Sequence, residues 1–150
     1  MKLIPIAEHP DAARILYQLL EERPDYANIS HRRMPTWDEH MEHVSFNSTP
    51  FSFIRKGGKF LLSHRDWCLA VVNGVPVGAV YLSAMDELGP GVLKEHQSKG
   101  YGEAACRAMM AKHGPRRYCW NANPRNAASI ALAEKLGFRL AQHTYCLEAK

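Results

Sequence analysis

Between positions 97 and 103 the chain reads Gln97-Ser98-Lys99-Gly100-Tyr101-Gly102-Glu103, at the mouth of a helical segment, Tyr101 to about His113. Gly100 and Gly102 permit backbone conformations and close approaches that side chains block. The first amides of the following helix lack carbonyl partners, point at one spot, and have the positive end of the helix dipole behind them. The chemistry on offer is capture of an anion, and the geometry suits a pyrophosphate. Taken alone, two spaced glycines equally describe an ordinary tight turn. The loop is not a P-loop, because Gly-Lys-Ser/Thr is missing. Nor is it a dinucleotide fingerprint, which needs a third glycine and an acidic residue about twenty positions onward.

Two other constellations invite sharper readings. His40-x-x-His43, flanked by Glu39 and Glu42, places two imidazoles on one helix face. Without His-Glu-x-x-His spacing or a third ligand, a solvated face is expected and no metal. His31, His64, His96, His113 and His143 are scattered, and imidazole is a side chain whose ordinary chemistry suits a base near neutral pH. Lys112, Arg116, Arg117 and Arg125 interleave with Tyr118 and Trp120 as phosphate contacts and stacking rings would. However, Tyr118-Cys119-Trp120 reads as a strand, so at least one of its faces belongs to a core. Direct nucleic-acid binding is therefore not expected.

These residues must be positioned by a chain of 150 residues, 46% hydrophobic and 23% charged, the size of one globular domain spanning 1–150. No apolar run approaches the roughly 18 residues of a membrane span; Leu69 to Leu82 is cut by Asn73-Gly74 and Pro76. The start, with Pro5, Glu8 and Pro10, does not read as a secretion signal. A soluble cytoplasmic protein is expected. Cys68, Cys106, Cys119 and Cys146 form no Cys-x-x-Cys pair and are expected to be reduced thiols in or near the core. The net charge of +4 is uneven: residues 94–150 carry ten Lys/Arg against four Glu, residues 1–93 nine against eleven Asp/Glu. The C-terminal excess suits a phosphorylated cofactor or another polyanion.

Leu3 to Ile6 reads as an opening strand. A helix follows from about Asp11 to Glu22, with Ile15, Leu16, Leu19 and Leu20 at helical spacing. Residues 25–60 are polar and aromatic, with Trp37 to Val44 as the clear helical turn and Thr36 its cap. Such irregular segments often carry binding groups. Trp67 to Val72 and Val75 to Leu82, joined by Asn73-Gly74, form a hairpin, because Asn and Gly accept the positive φ of a type I′ turn. A strand from Glu87 to Lys94 leads into the two-glycine loop and its helix, where Tyr101, Ala104, Ala105, Ala108 and Met109 share a face. Beyond Tyr118 to Trp120, Asn126 caps a helix from Ala127 to Leu136 that Gly137 terminates; Phe138 to Leu147 reads as a closing strand.

In this setting the chain resembles the GNAT superfamily of acyl-coenzyme A N-acyltransferases. That family's motif A is a strand, Gln/Arg-x-x-Gly-x-Gly/Ala, then a helix, matched in order by Gln97, Gly100 and Gly102. Its motif B is a strand, an Asn near a helix start, and a helix ending Lys-Leu-Gly-Phe. Asn126-Ala127-Ala128-Ser129 leading to Lys135-Leu136-Gly137-Phe138 matches it. The likeness covers roughly residues 67–140, and Asn126-x-x-Ser129 looks most like the ribosomal-protein N-terminal acetyltransferase branch.

The resemblance implies a mixed α/β fold: a partly antiparallel sheet of six or seven strands, helices on both faces, splayed between the motif-A strand and Tyr118–Asn121. It implies acetyl-coenzyme A as cosubstrate and a primary amine as acceptor, such as a protein N-terminus, an amino sugar or another small amine. The backbone of Val92 and Leu93 would hold the pantetheine arm, and the loop amides from Ser98 through Lys99, Gly100, Tyr101 and Gly102 to Glu103 the pyrophosphate. Lys99 or Arg125 would meet the ribose phosphate, and Asn126 and Ser129 would flank the thiol end. Acyl transfer needs a neutral amine, a polarised carbonyl and a proton for the departing thiolate. Glu87 is the candidate base, against its alternative as a solvated strand-end carboxylate. Many family members carry a tyrosine acid three residues before Leu-Gly-Phe, where this chain has Ala133. Ser129, Tyr145 or water would replace it, although Ser129 also fits a helix cap. A non-catalytic acyl-coenzyme A sensor is the alternative that the missing tyrosine raises.

Overall fold

A computed structural model describes residues 1–27, 33–50 and 52–147; of the histidines named above, His31 lies outside them. The main sheet runs in the order β1 (Lys2–Pro5), β4 (Asp66–Val72), β5 (Val75–Leu82), β6 (Leu88–Val92), every neighbouring pair antiparallel. The β4–β5 hairpin turns on Asn73 (φ 51°) and Gly74 (φ 78°), the type I′ geometry expected of that dipeptide. A bulge at Ala70/Val71 shifts the register so that Pro76, which cannot donate to a ladder, is accommodated in β5. A separate two-stranded hairpin, β2 (Phe53–Lys56) and β3 (Lys59–Leu62), turns at Gly57-Gly58.

Side-chain alternation divides the core in two. Cys68, Ala70, Val80, Leu82 and Leu88 face helix α3 (Tyr101–His113), meeting Ala105, Cys106 and Met109. Leu69, Val71 and Ala79 face the other way, onto Ala12 and Leu16 of α1 (Ala12–Glu21) and Val44 of α2 (Trp37–Asn47). Helices thus cover both faces, as expected. The buried stripe of α3 is Ala105, Cys106 and Met109; Ala104 and Ala108, expected on it, are only half-buried. Thr36 caps α2 in a full capping box, its hydroxyl accepting from Glu39 N–H while Glu39 accepts from Thr36 N–H.

Three expectations are corrected. His40 is not on a solvated face: it is 2% exposed, its Nε2 donates to the Ala13 carbonyl at 2.7 Å, and Tyr17 and Trp37 pack around it. The apolar side of α2 turns toward α1 and carries His40 with it. Residues 138–147 form no strand; Leu140, Tyr145 and Leu147 are 79–100% exposed. A strand exists by pairing, and alternating residues without a partner edge stay extended coil. Only Cys68 and Cys106 lie in the core. Cys119 and Cys146 are exposed, and all four thiols are free. Among the described residues no helix is long and apolar enough to cross a membrane.

Two contacts hold β6 and α3 where they are. At Gly78 an added Cβ would stand 2.1 Å from the Gly91 carbonyl oxygen and 2.9 Å from Val92 Cα, so β5 and β6 approach more closely than any side chain allows. At the far end of α3, Asp66 is 8% exposed and accepts from Lys112 Nζ at 2.7 Å, His113 Nε2 at 2.8 Å and Cys68 Sγ at 3.2 Å. Burial would raise its carboxyl, but the bonds from Lys112, His113 and Cys68 outweigh that and hold it below its ordinary 3.8.

Gly78→Ala must push β6 off β5, costing about 2 kcal/mol and about 4–8 °C of melting temperature, read by calorimetric scanning. For Asp66, a depressed folded pKa means that the unfolded chain binds the proton more readily. Its stabilisation is therefore complete above its ordinary value and lost as pH falls through the lower folded value. Asp66→Asn should cost about 2 kcal/mol at pH 7 and flatten the loss of urea-unfolding stability between about pH 5 and 3; an unchanged slope would remove Asp66 as its source.

Candidate active site

β6 is fully paired on one side and almost unpaired on the other. Toward Cys119 it makes one parallel bridge: Leu88 N–H donates to the Cys119 carbonyl and Cys119 N–H to the Asp86 carbonyl, both at 2.9 Å. No further bridge joins the two segments among the described residues, so the expected strand Tyr118–Trp120 is reduced to this contact and the sheet opens beyond it. Leu88 N–H points to the Cys119 side and Leu93 N–H binds the Val77 carbonyl at 3.0 Å, so alternation turns the backbone of Pro90 and Val92 into the gap. Pro90 has no N–H, which denies a protein strand the donor needed to close it. Of the expected pair, Val92 therefore has its backbone at the opening. Leu93 does not: its carbonyl accepts from His96 and its side chain is buried.

The opening ends on the N-terminus of α3. Gly100 caps it in the left-handed region (φ 78°), and the first helical bond runs from Ala104 N–H to the Gly100 carbonyl. The amides of Tyr101, Gly102 and Glu103 therefore have no carbonyl to serve and face outward. A Cβ on Gly100 would meet nothing within 4 Å, whereas one on Gly102 would touch Val92 and Leu132. The cradle is open where an anion would sit and close-packed where the helix meets β6. Gln97 folds back, its Nε2 donating to the Val92 carbonyl at 3.1 Å, and Ser98 takes a positive φ of 61°. Lys99 Nζ donates to the Glu95 carbonyl at 3.0 Å. Glu103, a carboxylate at the cradle's edge, is engaged by Lys135 first and Arg107 second, which lower its pKa and cancel its charge.

At the other end of β6, the turn 83–87 presents Glu87. Ser83 Oγ accepts from the N–H groups of Met85 and Glu87, and Asp86 takes a positive φ of 60° while its carboxylate holds Arg65 and Arg116, each at 3.1 Å. The half-buried Glu87 accepts from the Tyr81 hydroxyl at 3.1 Å. Tyr81 stacks on His64, which meets Trp67 and His43 edge-on. His43 also lines a cleft of about 530 Å³ between α2 and the β2–β3 hairpin, walled by Phe46, Ile54, Leu61, Glu42 and Lys56. The converging polar groups lie away from this cleft, at the β6 opening.

Helix α4 (Ala127–Lys135) closes the third side. Asn126 Oδ1 caps it, accepting from Ser129 N–H at 3.2 Å, and Ser129 Oγ accepts from Trp120 Nε1 at 3.0 Å. That bond ties Ser129 to the segment that carries Cys119. Ala133 is 8% exposed, packed under the Gly137 C-cap. Tyr145 is 91% exposed in the unpaired C-terminal segment, and Arg125 is exposed beside Asn126. Tyr118 and Trp120 pack against the core, so they are not free to stack on bases. Among the described residues no three His, Cys, Asp or Glu side chains converge as a metal site.

The two-glycine loop is read directly from the sequence; the contacts of Tyr81 with Gly89 and Glu87, of His64 with Tyr81 and of Trp120 with Ser129 are not. The hairpin register, which sets Tyr81 opposite Gly89, was the signal available for two of them.

No curated protein matches the chain. A solved acetyltransferase from Thermus thermophilus shares the fold, with a TM-score of 0.63 and 21% identity over 92% of this chain and 86% of that one. The family model for the acetyltransferase (GNAT) domain matches residues 1–139, nearly the whole of the described fold, and the chain belongs to that family.

Proposed function

We propose that this protein transfers acetyl from acetyl-coenzyme A directly to a primary amine, at the opening between β6 and the Cys119 segment. The carrying observation is the pairing of an unfinished strand edge with an open, glycine-capped helix N-terminus at its end. An extended chain of amides can pair with Val92 while the pyrophosphate attached to it meets the amides of Tyr101, Gly102 and Glu103. Ser98, Lys99, Gly100 and Gln97 shape that cradle, and the C-terminal excess of positive charge favours the phosphates. Asn126 and Ser129 flank the thiol end.

Acetyl-coenzyme A supplies an activated acyl group with a thiolate leaving group. The residues supply proton management. Glu87 takes the proton from the acceptor ammonium, directly or through one water. Ser129 has given one lone pair to Trp120, so its hydroxyl hydrogen is available to the departing thiolate, and Ala133 has no proton to offer in its place. Direct transfer is favoured because burial pushes the Cys68 and Cys106 thiols up to about 12, far from the thiolate that a covalent route needs. The acceptor reaches Glu87 along the rings of His43, His64 and Tyr81 from the α2 cleft. Four free thiols suit a reducing compartment such as the cytoplasm.

Gly100→Glu adds a Cβ that meets nothing within 4 Å and an acidic side chain at the cradle, at the cost of a non-glycine residue in the left-handed region, so its folding is checked by circular dichroism. Calorimetric titration should show acetyl-coenzyme A binding to the parent and not to the folded variant; no binding by the parent would overturn the proposal. Against a panel of primary amines, Glu87→Gln should lower kcat by about 10²-fold or more, and Ser129→Ala by less than about tenfold, since a thiolate leaves readily. Initial rates should be sequential and survive Cys119→Ser. Binding without amine-dependent release of coenzyme A would leave a sensor instead.

A further inference from the structure

Tyr81 lies opposite Gly89 across the β5–β6 pair. A Cβ on Gly89 would stand 2.3 Å from two carbons of the Tyr81 ring, so the ring occupies the space that any other residue at 89 would fill. From that seat its hydroxyl reaches back over β6 and donates to Glu87 Oε1 at 3.1 Å. His64 stacks on the ring, with centroids 4.6 Å apart and planes at 12°. His64 is itself held: Trp67 meets it edge-on at 5.1 Å, and its backbone N–H donates to Asn47 Oδ1 at 2.7 Å. Burial first, and His43 second, push its imidazole down to about 4, so the backing ring stays neutral near pH 7. Core packing alone would account for a ring over a glycine. It does not account for a hydroxyl aimed at the Glu87 carboxylate, where the β6 opening begins.

We propose that Tyr81, seated by Gly89 and backed by His64, is a positioning residue that fixes the Glu87 carboxylate in the direction from which it takes the acceptor's proton. This rests on Glu87 acting as the base. A glutamate on a strand end has three side-chain torsions, and one directional hydrogen bond to a ring clamped on both faces removes most of that freedom. The glycine matters because it allows the bond, without touching substrate or carboxylate itself.

A double-variant cycle reads this directly. Tyr81→Phe keeps the ring, the stack and the packing but removes the donor; Gly89→Ala keeps the donor but unseats the ring. Each should lower kcat with the amine substrate about 10- to 100-fold, with KM for acetyl-coenzyme A unchanged, and the double variant should lose no more than the larger single loss. The carboxyl ¹³C resonance of Glu87, followed at pH 7 without any acceptor, should move in Tyr81→Phe and in Gly89→Ala and move no further in the double variant. Losses that multiply, or a Tyr81→Phe enzyme with parental kcat and an unmoved Glu87 resonance, would overturn the proposal. Should Gly89→Ala fail to fold, Tyr81→Phe decides by itself. Activity lost in Glu87→Gln but kept in Tyr81→Phe would remove the positioning role and leave the base. Activity kept in Glu87→Gln would remove the base, whatever the resonance does.

Discussion

Two hydrogen bonds, from Leu88 to Cys119 and from Cys119 to Asp86, are the whole of the sheet's tie across its opening among the described residues. If the pairing continued, β6 would have no free edge and the cradle at α3 would face a finished sheet. If it were absent, the segment carrying Trp120, whose indole holds Ser129, would lose its backbone tie to the start of β6. Pro90 is well suited to stopping the zipper, because it removes the next outward donor while leaving a carbonyl to accept. An open, hydrogen-bonding strand edge is normally a liability. Here it is short, and its next outward position is a proline without an N–H.

Carboxylates staple the elements around that opening. Asp66 fastens the C-terminal end of α3 through Lys112 and His113, and Glu103 links its N-terminal turn to α4 through Lys135. Asp86 gathers Arg65 and Arg116 at the turn that delivers Glu87. Each acidic group is met by at least two cations or donors. The C-terminal half therefore presents net positive charge without a bare carboxylate at the cradle. A helix pinned at both ends cannot slide its amides away from the end of β6, which is what anion binding by a helix N-terminus requires.

The substitution of alanine for the family's motif B tyrosine has a plain structural meaning. Ala133 is buried and its carbonyl accepts from the N–H groups of Leu136 and Phe138 at the end of α4, while the neighbouring Leu132 reaches Gly102 at the start of α3. In the first turn of the same helix, Ser129 is held by the Asn126 cap and by Trp120. Fold likeness at 21% identity speaks only to architecture.

Local grammar in the sequence determined a good deal: Asn73-Gly74 dictated the hairpin, Thr36 and Asn126 the helix starts, Gly100 and Gly137 the left-handed caps, and Gln97 to Gly102 the cradle. These depend on φ, on hydrogen bonds a few residues long, and on hydrophobic period, all of which one segment carries by itself. The tertiary structure decided what lies between segments. His40 turned inward because α1 packs there, and residues 138–147 stayed unpaired because no edge meets them. Leu93 spent its backbone on Val77 and His96, and Tyr81 reached Glu87 only because β-register set it over Gly89. Register, partner edges and ring seats are relations between distant residues, and a linear pattern does not specify them until packing brings those residues together.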